Sequence, residues 1–185
     1  MNEQVMNRTD LLHGLRDGTP IGLGYLAVGF AVGIAARNAG LNAFEGFLIS
    51  FMNHASAGEY AGITVIASLA PYFEIVVITL IANARYMLMS AALSQKFSPE
   101  TAFFHRLTIG FFVTDELFGL GVASPGYLKP RYMYGAIIVA ATGWELGTVL
   151  GVLIGDVLPP AAASAFSVAL FGMFIAIVVP TAKRD

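Results

Sequence analysis

Hydrophobic residues come in runs of about twenty along most of the chain, and short clusters of glycine, proline and charge separate them. Six candidate segments result: 20–36, 44–70, 72–93, 105–124, 132–155 and 160–179. Each reaches the length of about 17–25 residues that a helix needs to cross a bilayer core. Pro20 suits the first turn of the first helix, and Ser124-Pro125-Gly126 stops the fourth. The pattern predicts an all-α polytopic membrane protein with about six transmembrane helices. In this reading 1–19 is a polar N-terminal segment, 20–180 holds the spans, and 181–185 is a polar tail. A three-plus-three inverted repeat is one form it takes, although the halves do not align by eye. The second segment has two readings, one crossing or a re-entrant pair of half-helices. Discontinuity in the second and third segments is the pattern transporters use at mid-depth.

Composition strengthens the membrane reading. The 185 residues are 57% hydrophobic and 12% charged, against about 25% charged in a soluble domain. Mean hydropathy is +0.73. A net charge of −2 without a basic tract excludes nucleic acid as an expected partner. No cysteine is present, so disulfides, thiolate metal sites and cysteine nucleophiles are excluded. No metal or cofactor is expected. The N-terminal segment lacks the pattern of a cleaved signal peptide. With six crossings and the N-terminus inside, Arg8, Arg16, Lys129, Arg131, Lys183 and Arg184 lie in the cytoplasm, and Arg37, Lys96 and Arg106 outside. That asymmetry favours N-inside in the inner membrane, while Lys96 and Arg106 argue against it locally.

Polar residues in the runs supply the candidate chemistry. Glu59, Asn83, Arg85, Asp115, Glu116 and Glu145 all fall within about three residues of a segment midpoint, or about 4.5 Å along a helix. Charged groups are costly there, by about 2.5 kcal/mol or much more for arginine. Their convergence at one depth predicts a transport site. One arginine faces four carboxylates, so water, a bound cation or protons must compensate the surplus. Asp115, Glu59, Glu116, Glu145 and His54 are the proton-coupling candidates. Asp115 and Glu116 point about 100° apart on a helix, and Asp115 is taken as the inward one. Arg85 either staples helices through Asp115 or Glu59 or serves a substrate. The small residues of NHASAGEY, 53–60, hold a helix poorly. Gly58 there marks either a half-helix N-terminus open to substrate or a packing face. Gly22, Gly24, Gly29 and Gly33 suggest close helix approach, with Gly29 and Gly33 a small-xxx-small pair. Trp144 is read as lipid contact or helix packing. His54 and Ser56 are two apart with no activated serine–base pair, so an enzyme is not expected.

The chain resembles the AzlC family of branched-chain amino acid exporters along nearly its whole length. GLRDGTP at 14–20, ASAGEY at 55–60, NARYMLMS at 83–90, FVTDELF at 112–118, WELGT at 144–148 and FIAIVVP at 174–180 carry the likeness. The N-x-R and T-D-E elements are the specific ones. Glu59 departs from the glutamine usual in the family, and family members usually continue with further apolar segments. The resemblance implies export of valine, leucine, isoleucine or similar neutral amino acids. It also implies a small multi-span AzlD-type partner, with a homo-oligomer as a further expected form. In the transport reading Arg85, Asn83, Glu59 and Gly58 bind substrate and the proton gradient drives export. A non-transporting accessory subunit is the alternative, and a proton or ion channel is a weaker one.

Overall fold

The computed structural model describes residues 3–157, together with Val168. The expected sixth segment, 160–179, and the tail, 181–185, lie outside the described residues, Val168 apart. Among the described residues seven helices follow in order: α1 (Glu3–Asn38), α2 (Ala43–Met52), α3 (Ser56–Ala67), α4 (Tyr72–Ser94), α5 (Phe103–Phe111), α6 (Asp115–Ala123) and α7 (Pro130–Ile154). A short 3₁₀ turn, Gly155–Val157, follows α7. Three of the helices are long and apolar enough to cross a membrane: α1 over Arg8–Asn38, α4 and α7.

The spine is α1 against α7, joined along glycine. A Cβ on Gly14 would fall 1.9 Å from the Tyr132 carbonyl oxygen, and one on Gly143 2.2 Å from that of Gly22. Gly33 meets Thr148 and Gly151 in the same way. Contacts move up both helices together, from Gly14 with Tyr132 to Gly33 with Gly151, so α1 and α7 run parallel. Without side chains between them the backbones approach closely and gain dispersion contact, the main attraction between helices in lipid. Gly24 has nothing within 4 Å and takes no part.

This packing corrects the expected start of the first helix. Helix α1 begins at Glu3 and contains Pro20, which costs one backbone hydrogen bond. Gly14 and Gly18 carry the α7 contact below the proline. Asp10 pairs with Lys129 at 2.9 Å and Asp17 accepts from Tyr132 at 3.0 Å. The polar stretch 1–19 therefore becomes the first turns of α1 as far as it is described.

The expected second and fourth segments are each two short helices, and each pair folds back on itself. The α2 capping box explains its start: Asn42 accepts from the Glu45 amide, and the Glu45 carboxylate accepts from the Asn42 amide. Gly46 then lies at Val152 and Ser50 at Thr148, so α2 runs antiparallel to α7. After the turn at Asn53–Ala55, Ser50 and Glu59 hydrogen-bond across the two legs at 2.5 Å. Gly58 packs on Asn83 and Gly62 near Thr79 and Ile75, so α3 runs antiparallel to α4. In the second pair, Arg106 reaches the Ser94 carbonyl before the turn, and Lys96 reaches the Ser124 carbonyl after it. Asp115, just past the turn, meets Arg85. Both legs thus lie along the C-terminal half of α4, whose Leu93 touches Gly121.

The fourth segment is consequently not one helix, because the chain breaks at Phe112–Thr114 and Thr114 caps a new helix. The second segment is a pair of short helices, as one of its two readings had it. The third segment is one continuous helix, α4, without the expected discontinuity. Six spans and a three-plus-three repeat have no support among the described residues.

Candidate functional site

The two hairpin turns meet beside the middle of α1, α4 and α7. The imidazole of His54, at the first turn, packs edge-on against Phe112 at the second, with ring centroids 4.8 Å apart. Asn83 on α4 donates to the Asn53 side chain at 3.1 Å. Arg85, two residues on, pairs with Asp115 at 2.9 Å. Tyr25 on α1 is hydrogen-bonded to the Thr114 hydroxyl, 2.7 Å away, and to the Glu116 carboxylate. Its ring also stands edge-on to Trp144 of α7 at 5.4 Å.

Neighbouring acids therefore turn to different helices, Asp115 to α4 and Glu116 to α1. The roughly 100° step of a helix produces that divergence. Thr114 explains why the helix starts there: its hydroxyl accepts from the Leu117 amide, and Asp115 and Glu116 occupy the favourable N-terminal turn. Helix α3 starts differently. Its N-cap is Ala55, and no side chain caps it. The first amides of an α-helix have no intrahelical acceptor, so Ser56, Ala57 and Gly58 are left open.

Glu59 does not join this meeting point. It is 1% exposed, with Ser50 Oγ at 2.5 Å from one oxygen and Trp144 Nε1 donating to the other at 2.8 Å. Thr148 extends the network, 2.8 Å from Ser50 and 3.2 Å from the Trp144 carbonyl. The arrangement ties α2, α3 and α7 together. Glu145 faces a different space, an open groove of about 820 Å³ between α5 and α7. Its carboxylate lies 3.6 Å from His54 Nε2, just beyond hydrogen-bond length. Gly58 is required where it is, because the Asn83 side chain fills the place of a Cβ, at 2.4–2.8 Å.

Between the turns lies a small cavity of about 10 Å³, bordered by Tyr25, His54, Ser56, Thr114, Asp115 and Glu116. That is room for one water molecule. Around it the hydrogen bonding is incomplete. Among the described residues, the buried side-chain polar atoms without a hydrogen-bond partner are both His54 ring nitrogens, Asn83 Oδ1 and Arg85 Nε. The Phe51 backbone lies beside His54. Buried polar groups are otherwise almost always satisfied, and here the exceptions gather at one spot. No group of residues among those described could hold a metal ion.

Asn83, Arg85, Asp115, Glu116, His54 and Gly58 are thus brought together, with Glu145 at the edge and Glu59 apart. Sequence reasoning missed Tyr25 and Ser50, and weighed Ser56 only as an enzyme nucleophile. Only Tyr25 left a signal, as a polar-tipped aromatic near the middle of the first apolar run.

A family model described as AzlC protein matches residues 20–158. The chain belongs to the AzlC family. An uncharacterized membrane protein of Archaeoglobus fulgidus is 29% identical over 99% of this chain and 79% of its own length. Inner membrane protein YgaZ of Escherichia coli is 25% identical over 94% of this chain and 74% of its own. An uncharacterized membrane protein of Helicobacter pylori is 24% identical over 80% of this chain and 67% of its own. No solved structure matches. This AzlC-family chain is an all-helical membrane protein, and its candidate site lies in the stretch the family model covers.

Proposed function

We propose that this AzlC-family protein exports branched-chain or similar neutral amino acids, coupled to protons, across the inner membrane. One observation carries the reading: the unsatisfied buried polar atoms converge where two broken segments meet at mid-depth. Transporters place substrate at such breaks, where half-helix ends and free polar groups face a cavity. A zwitterion needs acceptors for its ammonium and donors for its carboxylate. Glu116 and Asn83 Oδ1 are acceptors there, and His54 and the α3 amides are donors, while Arg85 and Asp115 hold each other in an ion pair beside them. The rings of Phe111 and Phe112, packed on His54, suit an apolar substrate side chain. Glu145 in the groove and Glu116 in the cavity, with His54 between them, are the groups that exchange protons.

In a bilayer, α1, α4 and α7 cross, and the two hairpins enter from opposite faces and return. This topology gathers Arg8, Arg16, Lys96, Arg106, Lys129 and Arg131 at one face and leaves Arg37 at the other. Six basic residues against one supports an N-terminus in the cytoplasm, and Lys96 and Arg106 no longer oppose it. A small AzlD-type subunit completes the assembly in this reading. The exposed face of α4, with Phe73, Val77, Leu80 and Leu88 on it, is the surface it would cover. No enzymatic role is assigned.

Counterflow in proteoliposomes tests the proposal, using a panel of amino acids with and without a pH gradient, and with and without the partner subunit. Saturable exchange of leucine, isoleucine or valine, accelerated by the gradient, is the expected result. Loss of export in Arg85→Ala at normal membrane abundance is expected alongside it. Binding by the partner alone, with none by this chain, would replace the reading with that of an accessory subunit.

A further inference from the structure

Two helices begin at the cavity, and only one begins open to an anion. The start of α6 is filled by its own residues: the Thr114 hydroxyl caps it, and Asp115 and Glu116 lie against its positive end. An incoming carboxylate would meet two carboxylates there. The start of α3 carries no side-chain cap, and its one first-turn acid, Glu59, is turned away to Ser50 and Trp144. The amides of Ser56, Ala57 and Gly58 are left to whatever enters, at the positive end of a 12-residue helix. An independent observation points to the same place. The His54 side chain is 4% exposed, borders the cavity next to Ser56, and has no hydrogen-bond partner at either ring nitrogen, with the Glu145 carboxylate 3.6 Å from Nε2. A neutral imidazole always carries one N–H, so a buried donor at this spot has no acceptor within hydrogen-bond length. Arg85 is differently placed: Asp115 already occupies its guanidinium at 2.9 Å, and Tyr86 lies at 3.4 Å.

We infer that the open first turn of α3, together with the Ser56 hydroxyl and the His54 imidazole, holds the carboxylate of the substrate. Arg85 then keeps Asp115 ionised and in place and is a positioning residue. The substrate's ammonium lies toward Glu116, across the cavity. The cavity has room for one water, so the hairpins separate to admit substrate and close on the carboxylate. This deepens the proposed transport function and rests on it.

The experiment compares the affinity of the full chain, with its partner subunit, for leucine and for 3-methylbutylamine, the same molecule without its carboxylate. Wild type is expected to prefer leucine at least about tenfold, the scale of one charge-assisted hydrogen bond. His54→Phe keeps an aromatic ring among Phe51, Phe111 and Phe112 and removes both nitrogens. Ala55→Asp supplies α3 with a cap of its own, which competes for the same amides. In both variants the preference should fall below about threefold, while the thermal midpoint of Ala55→Asp holds or rises. His54→Gln restores a donor and should recover part of the preference. The double variant Arg85→Gln/Asp115→Asn removes the ion pair without leaving a lone charge, and should keep the preference. An intact preference in His54→Phe overturns the inference, as does its loss in the double variant alone. If Ala55→Asp fails to fold, Ser56→Ala combined with His54→Phe decides. Wild type that binds neither ligand overturns the transport reading beneath it.

Discussion

Glu59 has both oxygens occupied in a place water does not reach. A glutamine fits the same partners: its oxygen accepts from Trp144, its amide donates to Ser50, and Ser50 donates on to Thr148. Glu59→Gln should therefore leave the thermal midpoint within a few degrees and keep gradient-driven flux. Glu59→Ala leaves Trp144 Nε1 buried without a partner, at about 1–3 kcal/mol, leaves Ser50 only its bond to Thr148, and should unfold earlier. Loss of coupling in a well-folded Glu59→Gln would return this residue to the proton path. Arg85 and Asp115 are tied more simply, and a double-mutant cycle on folding stability should give a favourable coupling of about 0.5–3 kcal/mol. Mid-depth position is legible for both acids because it follows from counting residues along an apolar run. Direction is not legible. Whether Glu59 faces Trp144 or the cavity depends on where α3 begins, and the small residues at 55–58 fit several starts. Tyr25 is harder still, since its acceptors come from 89 and 91 residues away.

Turns that fold two apolar segments back on themselves make the elements different from their sequence pattern. Residues 105–124 look like one span because the Phe112–Thr114 turn is as apolar as its surroundings. Thr114-Asp115-Glu116 is also a good helix start, a cap followed by acids, and that second meaning is the one the chain uses. The break at 53–58 is easier to see, because its glycine and small polar residues weaken a helix openly. The hairpins make a sharp prediction about sidedness. The chain has no cysteine, so each single-cysteine variant carries one label site. Asn42→Cys and Leu69→Cys should react with a membrane-impermeant maleimide from the same face, and Glu100→Cys and Tyr127→Cys from the opposite face. Labelling of Asn42→Cys and Leu69→Cys from opposite faces would restore a crossing for the second segment. Reaction of the Glu100 and Tyr127 positions from different faces would do so for the fourth.

At the scale of the molecule, the seam between α1 and α7 holds the crossing helices in register, and both hairpins pack beside it. Gly143→Leu would push a side chain into the Gly22 backbone and should abolish monodisperse, folded protein. Gly24→Ala, with open space around it, should change nothing on the same chromatographic profile. The spacing of Gly29 and Gly33 is enough to expect a close helix partner. Which helix that is, and the continuation of the seam through Gly14 and Gly18, are hidden, because a polar stretch ahead of Pro20 looks like a chain end rather than helix. The seam also has a consequence in time. Gly33 emerges from the ribosome 118 residues before Gly151, the residue it packs against. At roughly 5–20 residues per second, the glycine groove of α1 waits on the order of ten seconds in the bilayer before α7 exists to fill it. During that interval another helix with small residues has the same access to it.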